Sequence, residues 1–101
     1  MNSIIVMFEA PGMTAAVYDS LMHELEAGGG LPNKNLLSHV AFQKGDSWCA
    51  VDVWRSQEAF MDFGQNALFP IFEKKGITPP QPQIFPVHNY IGATAEDVMH
   101  A

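Results

Sequence analysis

The stretch Ser47–Phe60, SWCAVDVWRSQEAF, decides how this chain folds. It reads as a strand that runs directly into a capped helix. Cys49, Val51 and Val53 fall on one face of the strand, and Trp48, Ala50, Asp52 and Trp54 fall on the other. The first face is oily. The second carries a carboxylate between two indoles. Burying a carboxylate costs several kcal/mol unless it is paired or wet, so this face is expected to line a cavity.

Working outward, Ser56 caps the helix that follows, with Glu58 in the first turn where the helix dipole favours it. Phe60, Phe63, Ala67 and Ile71 form the expected inward stripe. Pro70 cannot donate a backbone hydrogen bond and is expected to kink or restart the helix near Phe69, and Gly76 ends it. Before the decisive stretch, Leu36 to Gln43 reads as a strand, joined through the Gly45–Asp46 turn as a hairpin. Ser3 to Glu9 reads as a strand buried on both faces and stopped by Pro11–Gly12. Thr14 caps a first helix whose Val17, Leu21 and Leu25 repeat, widened by Tyr18 and Met22, faces inward. Asp19, Ser20, His23, Glu24 and Glu26 cover its wet side, and Gly28–Gly30 stop it. Pro79, Pro80 and Pro82 lead into a fourth strand, Gln83 to Ile91, which Pro86 confines to a sheet edge or bulge.

The order is β-α-β-β-α-β. It defines an α+β, ferredoxin-like fold over residues 1–92: four antiparallel strands with two helices on one face. Residues 93–101 read as a short tail, frayed or packed on a partner. Two helices cover one face of a sheet only. With Trp48 and Trp54 expected on the bare face, a homodimer with the two sheets face to face is the expected assembly.

A chain of 101 residues is one domain, and 48% hydrophobic content supplies a core. Eleven acidic against five basic side chains give a net charge of −6, which repels phosphate backbones, so neither nucleic acid nor an anionic membrane is an expected partner. Cys49 is the sole cysteine and reads as a buried structural thiol, with no internal disulfide to form. The N-terminal MNSIIVMFEA has no basic region, and no segment reaches membrane-spanning length, so a cytoplasmic location is expected.

Two histidines sit within strand-like segments, His39 in LLSHVAF and His88 in FPVHNYI. Alternation groups His39 with Leu37, Ala41 and Gln43, and His88 with Pro86 and Tyr90. If the Val-rich faces contact the helices, then His39, Asp52, Trp54 and His88 share the cavity face, although alternation alone does not fix register. Imidazole is the natural general base near neutral pH, and Asp52 could orient it or act as a base itself. Trp48, Trp54 and Tyr90 would stack on a planar ligand, and Glu9 would sit at the cavity mouth. Taken singly, each residue has an ordinary structural explanation. The set on one face is what marks a pocket. No HxxxH, CxxC or carboxylate cluster occurs, so no metal is expected, and no GxGxxG follows a strand.

The β-α-β-β-α-β order, the phrase DVWRSQEAFMDF from Asp52 to Phe63, and the closing FPVHNYI from Phe85 to Ile91 resemble the dimeric α+β barrel superfamily. The nearest branch is the antibiotic biosynthesis monooxygenase-like proteins. The resemblance spans roughly residues 3–91, and the Trp54, Ser56, Glu58, Ala59, Phe60 pattern marks fold more securely than activity. It implies a pairing of sheets into a dimeric barrel and, within the branch, cofactor-free monooxygenases of aromatic polyketides or haem-degrading enzymes. The haem-degrading members pair an Asn on the first strand with a ligating His on the second helix. Here the first strand is IIVMFEA and the helix position is Phe63–Gly64, so haem is not expected. The resulting expectation is a cofactor-independent monooxygenase-like protein that binds a small aromatic or polyketide-like molecule. The alternatives are a non-oxidative cyclase or isomerase using the same His and Asp, and a non-catalytic small-molecule-binding or stress-related protein.

Overall fold

The computed structural model describes residues 2–92; the expected tail, 93–101, lies outside the described residues. The elements follow in the order β1 (Ile4–Pro11), α1 (Ala15–Ala27), β2 (Leu36–Lys44), β3 (Ser47–Trp54), α2 (Gln57–Phe63), a π-helical turn (Gly64–Leu68), α3 (Phe69–Lys75) and β4 (Gln83–Pro86). The sheet order is β2-β3-β1-β4, with every neighbouring pair antiparallel. This is the ferredoxin-like arrangement. No helix among the described residues is long and apolar enough to cross a membrane.

Local chemistry sets the boundaries. The Thr14 hydroxyl accepts from Val17 N, and the Ser56 hydroxyl accepts from Ala59 N, so both helices begin where a side chain satisfies an otherwise orphan N–H. The β2–β3 turn is two residues long, with Gly45 at φ 59°, a backbone region that glycine enters without steric cost. Gly76, at φ 69°, closes α3 by donating its N–H to carbonyls of the last turn.

The expected break near Phe69 is a π-helical turn. Phe69 N–H donates to Gly64 O, five residues back. One extra residue in the turn shifts the phase of the helix, so the inward stripe continues through Phe72, which is buried, while Ala67 and Ile71 are only partly covered. The 64–68 turn also folds the Phe69 ring over Gly64, where a Cβ would lie 3.0 Å from the ring.

Packing reverses one sequence expectation. The core consists of Ile4, Val6, Leu25, Trp54, Phe60 and Phe63. Trp54 packs edge-on against Phe60 and tilted against Phe63 of α2, so the Asp/Trp face of β3 looks toward the helices. The Val-rich face is the uncovered one: Val40 is 59% exposed, Phe85 48%, Phe42 43% and Met7 41%. The gap between a sheet and its helices is about 10 Å deep and needs large side chains to fill it; Trp54, Phe60 and Phe63 supply that volume, which the Val51 and Val53 side chains of β3 would not. The same packing leaves β1 covered on one face only, with Ile4 and Val6 buried and Met7 and Glu9 exposed.

β4 stops at Pro86, five residues short of the expected end at Ile91. It pairs with β1 alone, through Ile4↔Pro86 to Met7↔Gln83, as a proline-bearing edge strand should. Across the helices, Lys74 and Lys75 both reach Glu24, at 2.8 and 3.1 Å. These contacts hold the Glu24 carboxyl below its ordinary range and tie α1 to α3.

Candidate active site

The cavity lies within the single chain, between the sheet and the helices. Its enclosed volume is about 140 Å³, opening to about 850 Å³ when the space at its mouth is counted. The sheet contributes Phe8, Ala10, Leu36, His39, Trp48, Ala50, Asp52 and Trp54. The helices contribute Tyr18, Leu21, Met22, Leu25, Phe63, Phe69 and Phe72, and Pro79–Pro80 of the lead-in to β4 also lines it. The π-helical turn brings both Leu68 and Phe69 to this wall. No lysine or arginine is among the lining residues.

Three polar side chains form a chain within it. His39 and Asp52 are direct cross-strand partners in the β2–β3 ladder, and His39 Nδ1 lies 2.5 Å from Asp52 Oδ1. The other carboxylate oxygen, Oδ2, accepts Trp54 Nε1–H at 3.2 Å. Asp52 is only 6% exposed, and both its oxygens are hydrogen-bonded, as burial requires. At the far side of the imidazole, the Tyr18 hydroxyl of α1 lies 2.5 Å from His39 Nε2, with the two rings parallel to within 2°. A carboxylate can only accept. A neutral His39 therefore donates from Nδ1 to Asp52, which leaves the Nε2 lone pair to accept the Tyr18 hydroxyl proton.

Leu36 and His39 both line the cavity although they are three residues apart, an odd spacing that strict alternation would place on opposite faces. A β-bulge resolves this: Leu36 pairs with Trp54 and Ser38 with Val53, so Leu37 is the extra residue. Leu36, not Leu37, shares the face of His39.

Burial, then the negative charge of Asp52, then that of Asp19, push the Tyr18 phenol above its ordinary value. The phenol therefore stays protonated through neutral pH and acts as a donor. A difference titration of wild type against Tyr18→Phe, read at the phenolate absorbance, is expected to show Tyr18 ionising above the ordinary tyrosine value of about 10. Between those two values the folded chain binds more protons than the unfolded one, so stability falls as pH rises through this window. A Tyr18 phenolate appearing at or below the ordinary tyrosine value would contradict the upward shift.

Of the residues expected at the site, His39, Asp52, Trp48 and Trp54 line the cavity. His88 does not join them. It sits in an exposed bend beyond the end of β4, because the strand ends before alternation can carry it to the sheet face. Tyr90 is 37% exposed and lies outside the cavity. Glu9 lies on the uncovered side of β1 and pairs with Lys44 of β2 at 3.2 Å; Ala10, not Glu9, reaches the cavity wall. Tyr18 is the polar member that the sequence reading missed, having been absorbed into the apolar stripe of α1. The available signal was its hydroxyl: a tyrosine on an inward helix face needs a partner for its O–H. No group of three or more metal-ligating side chains occurs among the described residues.

Fold and site together define a class: a ferredoxin-like α+β protein with an internal apolar cavity served by a Tyr–His–Asp hydrogen-bonded chain. Among solved structures, the fold matches SnoaB, a cofactor-independent oxygenase from Streptomyces nogalater, at TM-score 0.63 and 13% identity over 92% of this chain and 100% of that one. It also matches a putative antibiotic biosynthesis monooxygenase from Chloroflexus aurantiacus at TM-score 0.62 and 16% identity, covering 90% and 98% of the two chains. A third match is Rv0793 from Mycobacterium tuberculosis, at TM-score 0.64 and 11% identity, covering 90% and 100%. These similarities establish a shared fold. No protein-family model matches the sequence, and no curated protein matches it.

Proposed function

We propose that this protein binds a small aromatic, polyketide-like molecule in its internal cavity and oxygenates it without a cofactor. The observation that carries the proposal is the Tyr18–His39–Asp52 chain set in a cavity otherwise walled by carbon and indole. Such a wall binds a planar hydrophobic ring, and the chain supplies a proton acceptor beside it. Asp52 holds the His39 ring and stabilises the imidazolium that forms when Nε2 takes a proton through the Tyr18 hydroxyl. Removing a proton from the methylene of an anthrone-type ring leaves an electron-rich carbanion. The carbanion passes one electron to O2, the radical pair combines to a hydroperoxide, and loss of water leaves a ketone. In balance, one ring methylene and one O2 become one ring carbonyl and one water. The carbon loses four electrons, oxygen gains four, and the proton held on His39 leaves in the water. The shared fold with a protein described as a cofactor-independent oxygenase supports this reading.

The test is oxygen uptake with anthrone- and quinol-type substrates in the presence of a chelator, with one O2 expected per substrate consumed. No uptake across a broad panel would remove the oxygenase reading. A second reading follows from the chain itself, because nothing in it is specific to oxygen: the same groups would serve a cyclase or isomerase by proton transfer alone. Turnover that proceeds equally well in anaerobic buffer would select that alternative.

The homodimer belongs to this proposal, on ground different from that given by the sequence. The tryptophans face inward, but Met7, Val40, Phe42 and Phe85 leave an apolar strip on the uncovered sheet face, the kind of surface that marks an interaction site. Wild-type protein is expected to be dimeric at micromolar concentration in light scattering, and Val40→Glu monomeric. A monomeric wild type would refute the assembly.

A further inference from the structure

Trp48 lies beside the hairpin turn at the start of β3 and lines the cavity, and its Nε1–H is shut off from solvent with no acceptor among the described residues. The contrast with Trp54 is direct, since that indole donates to Asp52. An indole N–H can only donate, and buried donors in folded proteins almost always have a partner. The partner that this donor calls for is an acceptor. The Trp48 ring lies 5.2 Å from that of Tyr18, centroid to centroid, so the indole that carries the unpaired donor packs against the ring that ends the proton-accepting chain.

We infer that the cavity takes a fused-ring compound bearing a carbonyl or phenolate oxygen, and that Trp48 Nε1–H is the donor that fixes this oxygen. The inference rests on the reading of the cavity as an aromatic-ligand site and names the group by which the ligand is recognised. Anchoring the oxygen at Trp48 turns the acidic hydrogen of the ring toward Tyr18 and His39. The same bond has a second use. When that hydrogen leaves as a proton, charge moves onto the oxygen as an enolate or phenolate, and a donor already aimed at it stabilises the charge as it develops. No lysine or arginine lines the cavity, so the Trp48 N–H offers a developing oxyanion a donor where no permanently cationic side chain does.

The test uses 1-tetralone and tetralin, which share a fused-ring shape and differ in the carbonyl oxygen. Affinities are measured by calorimetry for wild type and Trp48→Phe, and the indole N–H resonances of 15N-labelled wild type are followed during each titration. The preference of wild type for the ketone is expected to fall at least tenfold in Trp48→Phe. The Trp48 indole proton is expected to move downfield with the ketone and not with the hydrocarbon. An unchanged preference in the variant, or an indole resonance that responds alike to both compounds, overturns the anchor while leaving the cavity reading intact. Failure of both compounds to bind wild type overturns the cavity reading and the anchor together. The resonance measurement needs only wild-type protein, so it decides the matter even if the variant folds poorly.

Discussion

His39→Gln is expected to slow oxygen-dependent turnover of an anthrone-type substrate by about 10²- to 10⁴-fold, the usual worth of a positioned general base. Glutamine keeps much of the imidazole's length and can still hydrogen-bond to Asp52, but its amide has no basic nitrogen to take a proton. The fold should survive, because His39 is only partly buried and its ladder partner remains in place. Asp52→Asn should produce a comparable loss by another route. An asparagine amide can donate to Nδ1, which moves the imidazole proton to Nε2 and removes the lone pair that faces Tyr18. Tyr18→Phe should cost less than either, since it leaves Nε2 open to the substrate itself. The measurement is kcat/KM for oxygen uptake, with thermal melts to confirm folding. A His39→Gln variant that turns over within a few-fold of wild type would remove His39 as the base.

The largest expected effect on stability belongs to Trp54→Ala, at about 3–5 kcal/mol, as for other large aromatic truncations in a core. Trp54 is fully buried and touches both Phe60 and Phe63, so its removal leaves a void that the helix cannot collapse to fill. It also strips Asp52 of one of its two donors, which adds the cost of an under-satisfied buried carboxylate oxygen. Trp54→Phe separates the two effects: it keeps much of the volume and loses only the N–H, so its cost should fall well below that of alanine. Urea unfolding at fixed protomer concentration reads both, as a shift in midpoint at unchanged slope. Equal losses in the two variants would mean that the hydrogen bond, not the packing, carries the stability of this position.

The path from sequence to fold was short wherever a single residue type has one physical use. Thr14 and Ser56 cap, Gly45 turns, Gly76 stops and Pro70 breaks a regular helix, and each does so in the structure. Alternation put Asp52 with Trp54 on one face of β3, and the β2–β3 ladder sets His39 opposite Asp52 there. The strand pattern could not say which side of the sheet that group faced. Alternation yields two sets of side chains and no sign, and the sign is set by how much volume the helices leave to fill, a property of packing that no window of sequence contains. The reach of β4 was overread because FPVHNYI continues to alternate after Pro86 has ended the ladder. Tyr18 was hidden for a related reason: its ring satisfies the apolar pattern of α1, while its hydroxyl is meaningful only once His39, twenty-one residues later, lies opposite.

The extra residue at Leu37 gives β2 a tolerance that differs on its two sides. The short Gly45–Asp46 turn sets the phase of the hairpin, and His39 is counted from that turn. A one-residue change of length on the Leu36 side would be absorbed at the bulge, where the ladder already slips by one. One residue gained or lost between His39 and Gly45 would instead rotate the imidazole to the outer surface, leaving every other letter of the chain in place and Asp52 without its partner. Among chains that share this fold, spacing to the turn should therefore diagnose the His–Asp pair better than the presence of a histidine, and loops before the bulge are free to vary in length as hairpins are not.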